Sequence, residues 1–304
     1  MHIPVLLKEV LHHLSPRADE NFIDATAGEG GHTAAILKKN KPNGKVLGIE
    51  IDSGLFEKIQ AAEIKNQKSK IKNRLILVND SYANLEEIVR KNNFKPIHGI
   101  LFDLGMCSWH LESSGRGFSY LGDEPLDMRF SLKNNLTAAE IINFWSVEKI
   151  EKILKEFGEE RYARRIALAI KEARKKERII GTQQLKDILK KSLPKNYDKK
   201  RIHFATRTFQ ALRIAVNNEL EIIEKGIQQA IKILEPNGKI VVISFHSLED
   251  RIVKNLFKEE SRAGKLNILT KKPITPSLEE IKNNPRSRSA KLRAAEIRIM
   301  NSEL

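Results

Sequence analysis

Short apolar runs alternate with amphipathic stretches along the first third of the chain. The apolar runs predict strands that begin at Phe22 and then cover residues 45–52, 74–80 and 97–105. Apolar positions at helical spacing predict intervening helices over residues 5–14, from Thr33 to residue 39, over 55–65 and around 85–89. Buried strands that alternate with helices are typical of a parallel, doubly wound sheet, so we expect an α/β fold.

This alternation stops after the fourth strand. Residues 111–130 have the composition of a loop, and only helices follow, beginning at the capping box Thr137-Ala138-Ala139-Glu140 and continuing over 147–157, 159–176, 182–191, around Leu212 and over 219–234. Strand character returns at 239–246, before a helix over 248–258 and an antiparallel closing pair at 266–270 and 294–300. We therefore predict a core in two parts, residues 1–110 and 211–304, with an all-helical domain, 111–210, inserted between them.

A strong positive charge is concentrated in this insertion. The 304 residues carry a formal net charge of +15. Between Arg161 and Arg201, fifteen basic residues stand against four acidic ones, which leaves +11 in one segment. A general excess of lysine would scatter the charge along the chain, so its concentration favours a polyanionic partner such as RNA.

Several classes of protein are disfavoured by the composition. No apolar run approaches the roughly 20 residues that span a bilayer. The first residues lack the basic and long apolar regions of a signal peptide. The single cysteine, Cys107, cannot form an internal disulfide and is typical of a reducing compartment. We expect a cytoplasmic protein without membrane contact.

A glycine-rich turn follows the first strand. Gly28, Gly30 and Gly31 do not complete a G-x-G-x-x-G dinucleotide motif, because Thr33 occupies its third glycine position. No phosphate-binding G-x-x-x-x-G-K-[ST] sequence occurs either. The closest pattern is the D-x-G-x-G-x-G turn of S-adenosylmethionine-dependent methyltransferases, in which Asp24 begins the motif and Thr26 replaces the first glycine. The alternative is that these glycines have only a structural role and let the backbone turn sharply between the strand and the following helix.

Acidic residues close several of the predicted strands. Glu50 or Asp52, after the second strand, is placed to accept hydrogen bonds from both ribose hydroxyls of a nucleotide-like ligand. Tyr82, after the third strand, is placed to flank its adenine. Asp103 ends the fourth strand, where an acceptor would polarise a substrate amine and stabilise its developing positive charge. Asp103 could equally cap the strand or contact the cofactor, and Asp127 is a weaker candidate for the acceptor.

Two other chemistries have weaker support in the sequence. A Cys107 thiolate could add to a pyrimidine ring before methylation of a ring carbon, but there is no second cysteine to resolve the adduct, and a structural role fits better. The four histidines considered as metal ligands have no zinc-site spacing, and we expect no metal: His32, His110, His203 and His246.

Longer motifs carry a family resemblance. The chain resembles the small-subunit ribosomal RNA cytosine-N4 methyltransferases of the RsmH/MraW type. The matching stretches span nearly the whole chain in order: Gly28-Glu29-Gly30-Gly31-His32, Phe102-Asp103-Leu104-Gly105, Arg116-Gly117-Phe118-Ser119, Pro125-Leu126-Asp127-Met128-Arg129, Phe157-Gly158-Glu159-Glu160-Arg161, residues 205–213, residues 243–251 and residues 284–290.

The resemblance implies a class I S-adenosylmethionine-dependent methyltransferase, a Rossmann-like doubly wound sheet with an inserted helical recognition domain. The implied reaction moves a methyl group from S-adenosylmethionine to the N4 amine of a cytidine in the decoding region of small-subunit rRNA. The implied partner is that RNA, within the ribosomal subunit. The implied cofactor contacts are Gly30, Gly31, His32, Glu50, Tyr82, Asp103 and His110, and Asp103 is also the candidate catalytic residue.

Two positions depart from the family pattern. His110 replaces a glutamine, although histidine can still donate or accept a hydrogen bond. Glu50 replaces an aspartate, and its longer arm can still accept from ribose hydroxyls. Two other functions stay open on the residues alone, a nicotinamide-dependent dehydrogenase and a non-catalytic RNA-binding protein, as does a homodimeric state.

Overall fold

A computed structural model describes residues 3–65, 73–194, 197 and 203–299. The chain divides into two compact units. Unit 1 comprises Met1–Gly105 and Leu220–Leu304, and unit 2 comprises Met106–Glu219. The all-helical stretch of the sequence falls mainly in unit 2. The assignment of a catalytic core and a recognition domain to the predicted ranges 1–110, 111–210 and 211–304 stays a prediction.

Seven strands form one sheet among the described residues of unit 1. Its order is β3-β2-β1-β4-β5-β7-β6. The first five strands in this order pair in parallel, and β7 pairs antiparallel with both β5 and β6. The bounds are β1 Phe22–Asp24, β2 Val46–Ile49, β3 Leu75–Val78, β4 Gly99–Asp103, β5 Lys239–Ser244, β6 Leu266–Ile268 and β7 Lys291–Ile297. The chain order reverses direction at β1, so β1 and β4 flank the switch point at which open α/β sheets bind ligands.

Helices of unit 1 pack on both faces of this sheet. Their bounds are α1 Leu7–Leu14, α2 Gly31–Lys39, α3 Ser53–Lys65, α4 Leu85–Lys91, α11 Glu219–Ile233 and α12 Ser247–Arg262. A further helix, α13 Leu278–Asn283, buries none of its residues. One apolar cluster joins Val10 and Leu14 of α1 to Phe22 and Val241 of the sheet. The other joins α4, α11 and α12 to the opposite face around Phe102. The predicted class I Rossmann-like fold, a doubly wound α/β sheet, is confirmed.

The amino-terminal segment of unit 1 is held by residues distant in sequence. The Leu6 N–H donates to Glu280 Oε1 at 2.7 Å, and Asn284 Nδ2 donates to the Ile3 carbonyl at 3.0 Å. The segment also passes so close to α2 that a Cβ added to Gly31 would lie 2.5 Å from Pro4 Cγ. Glycine at position 31 therefore serves a close approach of two chain segments.

Unit 2 is a set of short helices, and their bounds are α5 Ser108–Glu112, α6 Ala138–Phe144, α7 Val147–Glu156, α8 Ala163–Arg174, α9 Thr182–Ser192 and α10 Thr206–Asn217. The predicted capping box at Thr137 is confirmed, since its hydroxyl accepts from the Glu140 N–H while Glu140 accepts from the Thr137 N–H. Residues three and four apart on α7 and α8 are buried, as two amphipathic helices require. None of the helices in the described ranges is long and apolar enough to cross a membrane.

Some predicted boundaries in the helical part are wrong. The helix expected over 159–176 begins only at Ala163, because Glu159 has a left-handed φ of 49° and turns the chain before it. A short helix, α5, extends into the expected loop over 111–130. The antiparallel closing pair is confirmed as β6 and β7. The predicted strand end at Met300 and four basic residues of the charged segment lie outside the described residues: Lys195, Lys199, Lys200 and Arg201.

Candidate active site

Three carboxylates gather at the carboxyl ends of adjacent strands. Asp24 ends β1, Asp103 ends β4, and Glu50 follows β2. Strand β1 pairs with both β2 and β4, so its end lies between the other two. Burial raises the pKa of each of these side chains, and repulsion by neighbouring carboxylates adds to the rise for Glu50 and Asp103. A buried acidic cluster of this kind is electrostatically suited to a cationic ligand.

Asp24 fixes the start of the glycine turn. Its carboxylate accepts the Thr33 hydroxyl at 2.7 Å and the Thr26 N–H at 3.2 Å. Burial raises the pKa of Asp24, whereas the neighbouring His32 and these hydrogen bonds act in the opposite direction. The carboxylate therefore joins the end of β1 to the first turn of α2.

The glycine turn borders open space at the start of α2. Gly28 and Gly30 have left-handed φ angles of 52° and 82°, which side chains rarely adopt. A Cβ added to Gly30 would meet no atom within 4 Å, so the backbone there faces open space. A cavity of about 280 Å³ begins beside Gly30 and continues between α2 and α3 along Thr33, Leu37 and Leu55.

Glu50 ties this turn to the end of β2. Its two oxygens accept the Gly28 N–H at 3.0 Å and the Asp52 N–H at 2.8 Å. Burial raises the pKa of Glu50 to about 7. The Asp52 side chain is engaged elsewhere, because its Oδ1 accepts the Gly54 N–H at the start of α3. Of the two acids predicted after β2, Glu50 is thus the one bonded to the glycine turn.

Asp103 is held by its backbone and carries one buried oxygen without a partner. Its N–H donates to the Thr26 hydroxyl at 2.7 Å. Its Oδ1 atom is shielded from solvent and accepts no hydrogen bond from any residue that the structure describes. Burial raises the pKa of Asp103 to about 6, although the nearby His32 lowers it. An unsatisfied buried carboxylate oxygen is costly and marks a position for a ligand donor.

His32 lies between the amino-terminal segment and Asp103. Its Nε2 is 3.0 Å from the Val5 carbonyl oxygen, which can only accept, so we assign the ring hydrogen to Nε2. The other ring nitrogen, Nδ1, is 3.6 Å from Asp103 Oδ2. Two acceptors facing each other at this distance are favourable only when one of them is protonated. The pair is therefore suited to hold a proton.

Tyr82 follows β3 and packs against the sheet. Its ring meets the edge of Phe102 at a centroid distance of 5.5 Å. A Cβ added to Gly226 of α11 would lie 2.6 Å from the same ring, so this glycine makes room for it. The ring is fixed near the strand ends, as a wall for a flat ligand requires.

His110 and Cys107 begin unit 2. His110 Nδ1 accepts the Cys107 N–H at 3.3 Å and lies 3.2 Å from Cys107 Sγ. The His110 ring packs against Phe118 and Phe130 with centroid distances of 5.2 and 4.9 Å. Both residues thus have well-defined structural contacts within unit 2, and the cofactor contact of His110 stays a prediction.

Asp127 is engaged by a neighbouring arginine. Arg129 donates Nε and Nη2 to the two Asp127 oxygens at 2.8 and 2.7 Å. Burial alone would raise the pKa of Asp127, but these hydrogen bonds outweigh it and lower the pKa. The weaker of the two predicted amine acceptors therefore stabilises its own loop.

Comparison with known sequences decides the family. Residues 1–298 match the MraW methylase family. The chain belongs to the MraW methylase family. Three relatives are each named ribosomal RNA small subunit methyltransferase H, and they come from Persephonella marina (47% identity over 97% of this chain and 98% of the relative), a Sulfurihydrogenibium species (47%, 96% and 97%) and Halothermothrix orenii (44%, 99% and 99%).

Membership of the MraW methylase family confirms two of the sequence predictions. The chain is a methyltransferase, and S-adenosylmethionine is its methyl donor. This assignment is incompatible with a dehydrogenase and with a non-catalytic RNA-binding protein. The residues of unit 1 also fit the cofactor, because a sulfonium cation would compensate the buried acids and Asp103 Oδ1 lacks a donor.

Six of the seven predicted cofactor residues lie in unit 1 of this MraW family chain: Gly30, Gly31, His32, Glu50, Tyr82 and Asp103. The seventh, His110, lies in unit 2. Sequence reasoning did not identify Thr26, Thr33 or Val5, which position Asp103, Asp24 and His32. The signal for Thr26 was its place in the motif, where a hydroxyl stands instead of the usual glycine.

Proposed function

We propose that this chain transfers a methyl group from S-adenosylmethionine to the N4 amine of a cytidine in the decoding region of small-subunit ribosomal RNA. The observation that carries the proposal is the buried carboxylate of Asp103, which ends β4 with one oxygen lacking a donor. The relatives named for small-subunit rRNA support the choice of substrate. The motif resemblance supports the choice of the N4 amine.

The cofactor residues have separate tasks in this proposal. Gly30 leaves open space for the methionine portion. Glu50, fixed by two backbone N–H groups, accepts from the ribose hydroxyls with its remaining lone pairs. Tyr82 flanks the adenine, and the acidic cluster favours the positive charge. When bound, the cofactor supplies an electrophilic methyl group.

Asp103 and His32 act on the substrate amine. The lone pair of an N4 amine is delocalised into the cytosine ring, so a carboxylate that accepts an N–H makes the nitrogen more nucleophilic. Asp103 Oδ1 is the acceptor we assign to this role. The amine loses one proton when it becomes a methylamine. The Asp103–His32 pair, 3.6 Å apart, can hold that proton until it leaves to solvent.

Unit 2 binds the RNA in this proposal. Its helices α8 and α9 carry most of the described part of the basic segment, and exposed Lys175, Lys176 and Arg178 lie between them. Phosphate contacts by such side chains hold RNA without reading its sequence. The assembled ribosomal subunit is the partner we favour, and a homodimer stays compatible with the proposal.

The test is methylation of small ribosomal subunits from a strain that lacks this activity. The full-length protein and labelled S-adenosylmethionine should place label in N4-methylcytidine after digestion to nucleosides, with the modified position identified by mass spectrometry. Subunits that already carry the modification are the matched control and should accept no label. Label in another nucleoside would contradict the proposed atom, and absence of label from RNA would contradict the proposed substrate.

Neutralising Lys175, Lys176 and Arg178 to glutamine is expected to weaken RNA binding mainly at low salt. Each lost phosphate contact lowers the slope of log affinity against log salt by about 0.7 for a single strand, so the triple variant should lose about 2. Fluorescence anisotropy with a labelled single-stranded RNA measures this slope. The exposed lysines of unit 1 at positions 38, 39 and 41 provide the matched control triple. Equal slopes for both triples would contradict RNA binding by this part of unit 2.

Cofactor affinity is expected to rise with pH from about pH 5 to about pH 8. Burial raises the pKa of Asp103 to about 6 and that of Glu50 to about 7, so both are protonated in the free protein at acidic pH. A cationic ligand favours their ionised forms, and its binding should release protons. Calorimetry in two buffers of different ionisation enthalpy measures this release.

The stability of the free protein depends on the same two carboxyl groups, and it is expected to fall with rising pH where cofactor affinity rises. Because the folded-state pKa values are raised, their contribution to stability is complete below about pH 4 and is lost as the pH rises through about 6 and 7. Glu50→Gln should remove its part of this loss from chemical unfolding curves. Cofactor affinity that falls with rising pH, without proton release, would contradict the assigned acidic cluster.

A further inference from the structure

Three aromatic rings form a stack on unit 2. The Tyr120 and His203 rings are parallel, with an interplanar angle of 2° and a centroid distance of 4.5 Å. The Phe204 ring lies 4.3 Å from His203 with a tilt of 32°. We call Tyr120, His203 and Phe204 the aromatic stack.

Hydrogen bonds and packing hold the aromatic stack in place. The Thr206 hydroxyl donates to Tyr120 Oη at 3.4 Å. His203 Nδ1 accepts the Ala205 N–H at 3.3 Å, so in its neutral form the ring carries its hydrogen on Nε2. Phe209 meets Tyr120 edge-to-face at 5.7 Å. The rings are thus ordered before any ligand arrives, which lowers the entropic cost of binding.

The aromatic stack differs from ordinary core packing in its exposure. His203 is exposed, and Tyr120 and Phe204 are half-buried. Another ring stack of the same unit, Phe118 on Phe130, is 4% and 9% exposed and belongs to the core. Leu121, the residue after Tyr120, is 85% exposed and adds one exposed apolar side chain next to the stack in sequence. Ordered aromatic rings at the surface suit a flat ligand.

The charge around this part of the sequence favours an anionic ligand. The aromatic stack follows the segment from Arg161 to Arg201, in which fifteen basic residues stand against four acidic ones. Arg207, the second residue of α10, donates to the Glu159 carbonyl and is a cation held in place close to the stack in sequence. Flat aromatic rings and a basic chain segment are together the combination by which proteins hold single-stranded nucleic acid.

We propose that the aromatic stack of Tyr120, His203 and Phe204 binds an unpaired nucleobase of the RNA by stacking. This inference rests on the proposed function, which makes RNA the substrate. The base extends the row of rings, and the His203 Nε2–H is available to an acceptor on the base. The stack would thereby select RNA that is locally unpaired.

Single-stranded RNA of about a dozen nucleotides, labelled with fluorescein, is the probe for the test. His203→Ala and Tyr120→Leu should each weaken its binding to the full-length protein about 10- to 100-fold, the range of a lost base–aromatic stack. His203→Tyr keeps a ring and should restore most of the affinity. Leu132→Ala removes another exposed apolar side chain of unit 2, 56% exposed and outside the stack, and should have a smaller effect.

Two further readouts separate stacking from a general loss of structure or charge. Affinity for an RNA duplex of the same sequence should change little in the stack variants, because its bases are not free to stack. The slope of log affinity against log salt should also be unchanged, since no phosphate contact is lost. Thermal unfolding establishes that each variant is folded, and Phe204→Leu replaces any variant that is not.

The outcomes distinguish this inference from the proposed function. Wild-type affinity for single-stranded RNA in folded His203→Ala and Tyr120→Leu variants would overturn the inference, as would an equal loss for duplex RNA. If the wild-type protein methylates ribosomal subunits in either case, the proposed function stands. If the stack variants lose single-stranded RNA binding but the wild type labels no RNA, the inference stands and the proposed function fails.

Discussion

Asp103→Ala is expected to lower methyl transfer about 1,000-fold, measured under saturating cofactor and substrate. Asp103 is the only acid of the cluster with an oxygen for which the described residues supply no donor. Removing it takes away the acceptor that polarises the substrate amine and one member of the pair that holds the proton. Single-turnover transfer of label to ribosomal subunits measures the effect on the chemical step.

Calorimetric titration separates the two roles of Asp103. Loss of a cofactor contact would appear as a larger dissociation constant for the cofactor, whereas loss of the amine acceptor would appear only as a lower rate of methyl transfer. Asp103→Asn keeps the size and an acceptor oxygen but cannot take up a proton, so it should retain part of the activity. Asp123→Ala, an acid of unit 2 whose Oδ1 accepts the Gln183 N–H, is the control. Transfer at the wild-type rate by folded Asp103→Ala would contradict the assignment.

Glu50→Ala is expected to weaken cofactor binding about 100-fold, the loss of two hydrogen bonds to a charged group at about 1.5 kcal/mol each. The substitution leaves the Gly28 and Asp52 N–H groups without their carboxylate and frees the glycine turn. It also removes the acceptor assigned to the ribose hydroxyls. Titration with S-adenosylhomocysteine measures the effect on binding without turnover.

Conservative variants at position 50 test the geometry of this contact. Glu50→Asp restores the residue usual in the family and should bind within a few-fold of wild type. Glu50→Gln retains one acceptor oxygen and should be intermediate. Glu57→Ala, an exposed glutamate of α3, is the matched control and should bind normally. Unchanged affinity in Glu50→Ala would show that the carboxylate contributes only to the free protein.

The sequence was sufficient to predict the central strands because β1, β2, β4 and β5 are almost entirely buried. Apolar runs such as Gly99–Asp103 can form only a central strand, and the acid that ends each run marks the ligand edge. Helix α7 was equally clear, since Val147, Ile150 and Leu154 occupy one face. The spacing of apolar residues is informative wherever an element has one face toward the core and one toward solvent, because that division alone determines which side chains are buried.

Details that depend on contacts between distant residues were not predictable in this way. The turn at Glu159 requires a left-handed φ at a residue that is not glycine, and no local sequence pattern predicts such a φ. Thr26 positions Asp103 across 77 residues of sequence, and Val5 positions His32 across 27. The engagement of Asp127 by Arg129 was within reach of the sequence, because the two residues are only two apart.

The close passage of Pro4 over Gly31 makes the two positions mutually dependent. A side chain at residue 31 would collide with the proline ring, whose Cγ lies 2.5 Å from the position of the missing Cβ. A smaller residue at position 4 would remove that obstacle. The effect of a substitution at either position is therefore conditional on the other, and a lineage could change residue 31 without loss only after residue 4 had changed.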